Sequence, residues 1–250
     1  MVICYAFNDG SRNECLIDHL RDVMMCCKDR WENKGLSKKL HSLYGVDEPL
    51  VSELIAIAGL LHDIGKADEG YQLECKEVCK EFPDHYILST QFSIYLGRDI
   101  GLNELSAENI SKTFNEILLE DLNRFTEGIT YTLIVVIPIL LHHYAQINPA
   151  KLPLKDLRKE FNVHTGCWED ILKLFNEVID AVEVELSKRI IKSAYEIFSR
   201  SSTIKDLPVI PLKQEYLFSY QKPLPQRFII NAVLGILNLC DGIVASRRRR

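Results

Sequence analysis

Apolar residues recur at helical spacing along most of this chain and alternate almost nowhere, a pattern that a bundle of helices satisfies and a sheet does not. Leu16, His19, Leu20, Val23 and Cys27 share one face of a first helix. A second begins near Pro49, turns Leu50, Leu54, Ile57 and Leu61 inward and stops by Gly65. Further helices are predicted from about His85 to Leu96, from about Ser106 to Leu122, and from about Ile129 to Tyr144 with a kink at Pro138. A long one runs from about Trp168 to Phe198, with Glu183, Glu185, Lys188 and Arg189 on a solvated face. The runs Val2 to Ala6 and Leu207 to Leu212 could pair as strands, but nothing builds a sheet. A loop with Pro208, Pro211, Pro223 and Pro225 precedes a last helix, about Gln226 to Ser246, too short to fold alone and therefore packed back on the rest. The expected fold is all-α, a single domain over residues 1–250.

With 47% hydrophobic and 26% charged residues, the 250-residue chain is not a disordered or low-complexity one. Its net charge is −5, and four of its positive charges stand together as Arg247 to Arg250, so the remainder is distinctly acidic. Such a body is a poor general phosphate-binding surface, and handling nucleic acid would require metal ions, a local basic patch or a partner. The four arginines admit three readings: a phosphate-gripping tail, a partner contact or an addition foreign to the domain. Met1 to Arg12 lacks the basic-then-apolar pattern of a secretory leader. Ile129 to Ala150 carries no Asp, Glu, Lys or Arg, yet its aliphatic run, Leu133 to Leu141, falls well short of the ~20 residues a bilayer requires. A buried helix, a cytoplasmic location and no membrane partner are expected. Eight cysteines, at 4, 15, 26, 27, 75, 79, 167 and 240, form no Cys-x-x-Cys pair and read mostly as buried thiols.

Two places carry chemistry. Gly59-Leu60-Leu61-His62-Asp63-Ile64-Gly65-Lys66 and Ile139-Leu140-Leu141-His142-His143-Tyr144 are both apolar helical runs ending in a doublet of metal-competent side chains. Burying such groups costs desolvation unless they are paired or hold a cation. Imidazole and carboxylate are both good ligands for divalent first-row ions. Adjacent helical residues point about 100° apart, so a doublet suits two neighbouring ions, and Asp63 has two oxygens with which to bridge them. For each histidine alone, an ordinary core residue bonded to a backbone carbonyl is the competing reading.

His62-Asp63-x-Gly65-Lys66 resembles the signature of the HD metal-dependent phosphohydrolases, an all-α superfamily with a metal site at the centre of a helical bundle. The wider pattern is most similar to the stand-alone HD nuclease of CRISPR type I interference: an early His (His19), the His62-Asp63 motif, His85, the doublet His142-His143 and a late Asp (Asp241). The resemblance implies one ion held by His19, His62, Asp63 and Asp241, and another by Asp63, His85, His142 and His143. It makes Asp63 and Lys66 the catalytic pair, Lys66 gripping a phosphate oxygen or orienting the nucleophile. Independently, His19 lies on the apolar face of its helix, and Asp241 is the sole acidic residue from Gln226 onward. His41 and His164 lack such context and read as surface residues; Asp84 reads as solvated or capping.

The function so implied is divalent-metal-dependent hydrolysis of single-stranded DNA phosphodiesters, RNA being the other candidate strand. A separately encoded CRISPR helicase would open the duplex and link the chain to the effector complex. The mixed donor set admits Mn, Ni, Co, Fe or Mg, Mg alone being unusual with so many imidazoles. Rival readings are an HD phosphohydrolase of small or cyclic nucleotides, a non-enzymatic helical adaptor and a non-catalytic metal sensor.

Overall fold

The structure is a computed structural model and describes residues 4–75, 78–79, 82–120, 122, 124–143, 157–213 and 224–249. A short antiparallel hairpin, β1 (Tyr5–Asn8) and β2 (Asn13–Cys15), leads directly into α1 (Leu16–Asp29). Then come α2 (Trp31–Tyr44), α3 (Glu48–Leu61), a 3-10 turn (Ile64–Ala67), α4 (Glu69–Glu74) and α5 (His85–Asp99). After a 3-10 turn at Asn103–Leu105 follow α6 (Ile110–Leu119), α7 (Glu127–Tyr131), a π-helical turn (Thr132–Val136) and α8 (Ile137–Leu141). β3 (Glu160–Asn162), α9 (Thr165–Ile179), α10 (Glu185–Arg200), β4 (Thr203–Lys205) and α11 (Pro225–Arg248) complete the chain. Helices carry the architecture, as the apolar spacing implied.

α3 is the central post. Asp47 caps it by accepting from the Leu50 amide, and Pro49 lies in its first turn, where a missing N–H costs nothing. Every residue from Ile55 to Leu61 is buried, which is why its pattern looks apolar all round. Full burial of Leu54, Ile57 and Leu61 contributes roughly 1.5–3 kcal/mol each. α1 packs along α3, and the approach is close enough that a Cβ on Gly59 would stand 3.1 Å from the Val23 carbonyl and 3.2 Å from the Met24 Cα. α11 lies against α1, α2, α3 and α8, so the last helix closes the bundle.

Several elements differ from the sequence expectation. The long helix over Trp168 to Phe198 is two helices. Buried Glu53 on α3 accepts from the amides of Glu183 (2.7 Å) and Val184 (3.1 Å), holding the turn just ahead of α10 where the run breaks between Ile179 and Glu185. α2 had no counterpart: only Leu36 and Leu40 mark an apolar face, and its anchor is polar, Asn33 donating to the carbonyls of Cys27 (2.9 Å) and Ser52 (3.1 Å). The expected kink at Pro138 takes the form of a π turn just before it, where the Ile137 amide bonds the Thr132 carbonyl. The helix expected from Ser106 begins at Ile110, and Tyr144 lies outside the described residues. The strands pair β1 with β2 and β3 with β4. Leu207 to Leu212 is not a strand, although the Leu207 amide bonds the Lys159 carbonyl, and Val2 lies outside the described residues.

The cysteines also require correction. Six of them form disulfides, Cys4–Cys167, Cys26–Cys240 and Cys75–Cys79, leaving Cys15 and Cys27 as free thiols. The first two join residues 163 and 214 positions apart, pairings that only the fold creates and linear spacing cannot signal. The membrane question moves as well: by length and apolar composition, α11 rather than the Ile129 segment is the helix that meets a bilayer's requirement. Its buried residues, among them Ile229, Ile230, Val233 and Leu237, face the bundle.

Candidate metal centre

Both sequence doublets sit at the C-terminal ends of buried helices. His62 follows α3 and Asp63 leaves helical geometry at once (φ −112°, ψ 9°); His142 follows α8. At such ends carbonyls lack intrahelical partners. His62 Nδ1 donates to the Gly59 carbonyl (2.8 Å) and His142 Nδ1 to the Ile139 carbonyl (2.5 Å). His85, at the start of α5, donates from Nδ1 to the Phe82 carbonyl. His19, on the inner face of α1, turns Nδ1 to the Glu14 carboxylate at 2.8 Å. In His62, His85 and His142 the Nδ1 bond to a carbonyl fixes the tautomer and leaves Nε2 as the outward lone pair.

The Nε2 atoms of all four rings converge on Asp63. Oδ2 lies 3.5 Å from His19 Nε2 and 3.4 Å from His62 Nε2; Oδ1 lies 2.8 Å from His85 Nε2 and 3.5 Å from His142 Nε2. Asp241 Oδ1, brought in by α11, is 3.3 Å from His19 Nε2 and 4.0 Å from His62 Nε2. His143 lies beside His142 and edge-on to His85, with ring centroids 4.1 and 4.9 Å away. The donors fall into two groups, His19, His62, Asp63 and Asp241, and Asp63, His85, His142 and His143. Within each group the donor atoms lie within 4.8 Å of one another. The sequence-derived candidates are thus brought together, each carboxylate oxygen of Asp63 facing one group.

The fit to divalent ions rests on what these atoms lack. The Nε2 atoms of His19, His62, His85 and His142 and Oδ1 of Asp63 are buried without a hydrogen-bond partner. Neutral imidazole lone pairs aimed at carboxylate lone pairs repel, and such burial is costly unless a cation lies between them. The Lys66 ammonium, 2.6 Å from Asp63 Oδ2 and itself buried, supplies only one positive charge. The titration behaviour points the same way. Burial, then the neighbouring imidazoles, pushes His62 down to about 4 and His143 to about 3, and burial also lowers His85. All three are neutral and ligand-competent near pH 7. His19 differs: burial opposes its charge too, but the surrounding carboxylates of Asp241, Asp63 and Glu14 outweigh it and lift the ring to about 10, so this ring must give up a proton to take an ion. Asp63 and Asp241 stay well below the usual carboxylate range: burial is outweighed at Asp63 by His62, Lys66 and His85, and at Asp241 by His19 and His62.

Around the donors, Gly65 permits the close approach of the 3-10 turn to α5. Its amide donates to Ser89 Oγ (2.9 Å), and a Cβ there would stand 2.4 Å from the His85 carbonyl. His41 is exposed, as expected, and so is Asp84, which starts α5 in the left-handed region (φ 60°) without a capping bond. His164 is not a surface residue: it is buried, accepts from the Gly166 amide through Nδ1 (3.1 Å) and caps α9. Sequence reasoning missed Glu14. It lies on β2, outside any helical period, and nothing in its spacing from His19 marks it as a partner.

The family model described as Cas3, HD domain matches residues 8–186, a span that holds every candidate donor except Asp241. No curated protein matches the chain.

Proposed function

Because the chain belongs to the Cas3 HD-domain family, we propose that it is a metal-dependent nuclease that hydrolyses phosphodiester bonds of single-stranded DNA in CRISPR interference. The observation that carries this reading is the set of buried, unpartnered Nε2 atoms closing on the two oxygens of Asp63. His19, His62, Asp63 and Asp241 would hold one divalent ion, and Asp63, His85, His142 and His143 a second. Such ions, when bound, act as Lewis acids that lower the pKa of water and offset charge on phosphoryl oxygens.

The chain's own residues have distinct tasks. Asp63 links the two donor groups, so its placement fixes the spacing on which in-line attack depends. Lys66, beside Asp63 Oδ2, provides an ammonium that can grip a phosphate oxygen once the carboxylate is otherwise engaged. The Nδ1 bonds hold the rings in place before any substrate arrives, so little reorganisation is needed at the moment of reaction. The net charge of −5 supports a demand for cations in phosphate binding. In the proposed function a separately encoded helicase presents the single strand. The unit is proposed as one domain over residues 1–250, because Asp241 on α11 belongs to the same donor group as His19 on α1. A cytoplasmic location, away from any membrane, goes with this reading.

The test is incubation of metal-stripped protein with single-stranded DNA and a panel of Mn, Ni, Co, Fe and Mg ions. Cleavage with at least one ion, abolished by chelator, is expected. Hydrolysis of a mononucleotide but of no DNA would move the function to small-nucleotide phosphohydrolysis.

A further inference from the structure

Of the four candidate ligand histidines whose Nδ1 bonds are described above, three donate to a backbone carbonyl three residues earlier. His19 alone donates to a side-chain carboxylate. That carboxylate, Glu14, is fully enclosed, and its two oxygens are divided: Oε1 takes His19 Nδ1 at 2.8 Å and Oε2 takes Arg249 Nε at 2.9 Å. Arg249 is held in turn. Its guanidinium lies 4.5 Å from the ring centroid of Phe7, which stands opposite Glu14 in the β1–β2 pairing, and its carbonyl accepts from Arg12 at 2.8 Å. The neighbouring Arg248 pairs with Asp22 and Asp18 and acts on Glu14 only through its charge, not by a hydrogen bond.

We propose that Glu14 and Arg249 are positioning residues for the ion on the His19 side, Glu14 orienting and enriching the His19 ring and Arg249 acting through Glu14. The proposal rests on the reading of His19, His62, Asp63 and Asp241 as a metal-binding set, and it assigns one of the terminal arginines to the site rather than to a phosphate-gripping tail. A buried carboxylate behind an imidazole raises the ring's basicity and fixes its rotation, whereas a carbonyl does the second more than the first. A lone buried carboxylate would be costly, and the Arg249 guanidinium offsets that cost while restricting Glu14 to one rotamer. The site therefore has two unlike halves: one contains a ring backed by a charged pair beside one backed by a carbonyl, and in the other both His85 and His142 are backed by carbonyls.

The experiment is Mn2+ titration of metal-stripped full-length protein, followed by calorimetry, for wild type, Glu14→Gln, Glu14→Ala, Arg249→Ala, the double variant Glu14→Ala/Arg249→Ala, and Arg248→Ala. Thermal unfolding run in parallel shows which variants fold, and the isosteric Glu14→Gln and the half-exposed Arg249→Ala carry the test should Glu14→Ala not fold. Wild type is expected to bind two ions. Glu14→Gln should weaken one of them by ~10–100-fold and leave the other unchanged, the selectivity that a general loss of structure does not produce. Arg249→Ala should weaken the same ion by a smaller factor, the double variant should match Glu14→Ala alone, and Arg248→Ala should match wild type. Two ions of wild-type affinity in Glu14→Gln would overturn the proposal and leave the metal-site reading intact. An Arg249→Ala effect that adds fully to that of Glu14→Ala would overturn the relay through Glu14. No Mn2+ uptake by wild type would overturn the metal-site reading and this proposal with it.

Discussion

Gly65→Ala tests how the fold sets the geometry of the donors. The new Cβ would stand 2.4 Å from the His85 carbonyl and 3.0 Å from the Ser89 amide, and both are backbone atoms that no rotamer change can remove. Real Cβ contacts essentially never fall under 3.0 Å, so the start of α5 must retreat by roughly 0.6 Å. Overpacking of this kind costs about 1–3 kcal/mol, and the Gly65–Ser89 hydrogen bond of 2.9 Å adds about 0.5–1.5 kcal/mol if it breaks. A total of about 1.5–4.5 kcal/mol is a large part of the roughly 5–15 kcal/mol that holds a typical domain folded. The displacement also exceeds the ~0.2 Å tolerance of a metal–ligand bond, and it falls on His85, which serves only one donor group. The assay pairs urea unfolding with elemental analysis of Mn after gel filtration. Loss of stability with depletion of one ion is expected. Gly35→Ala is the control: nothing lies within 4 Å of that Cβ in α2, so stability should rise slightly. A Gly65→Ala protein with the wild-type midpoint and wild-type metal content would refute the argument.

Asp63→Ala should empty both metal sites and abolish cleavage, whereas His85→Ala should remove about one ion per chain; equal metal content in His85→Ala and wild type, by elemental analysis, would contradict the two-group assignment. In metal-free protein His19 is lifted to about 10 from an ordinary value of 6.5. Its stabilising contribution is therefore complete below pH 6.5 and lost as pH rises through about 10. The urea midpoint should fall between pH 7 and 10 more steeply than in His19→Asn, and parallel slopes would refute this. Cys26→Ser should lose on the order of 4–5 kcal/mol under non-reducing conditions because Cys26–Cys240 closes a loop of 214 positions, and Cys75→Ser only about 2 kcal/mol; equal urea midpoints for the two would count against the pairing.

What could be read in the sequence follows from which interactions are local. Helical burial repeats every 3.6 residues, so α1, α3, α5 and α11 were legible from Leu and Ile spacing alone. The doublets His62-Asp63 and His142-His143 were legible because polar side chains at the ends of apolar runs contradict their surroundings. Glu53, which holds the turn between α9 and α10, acts across 130 residues of sequence and leaves no local trace. Asn33 and Glu14 are similar cases: each acts by a hydrogen bond rather than by apolar area, so hydrophobic patterning is blind to both. Buried His164 was misread because a capping histidine makes no periodic signature.

The donor group that includes His19 draws on both ends of the chain, since its fourth member, Asp241, sits on the last helix. The other group is complete by His143. During synthesis the chain is extended from the N-terminus, so one half of the centre can assemble on the ribosome while the other waits for α11 to emerge and dock. A product truncated before α11 lacks the Asp241 carboxylate and so one member of the His19 group. Translation itself thus imposes an order on the assembly of the two donor groups.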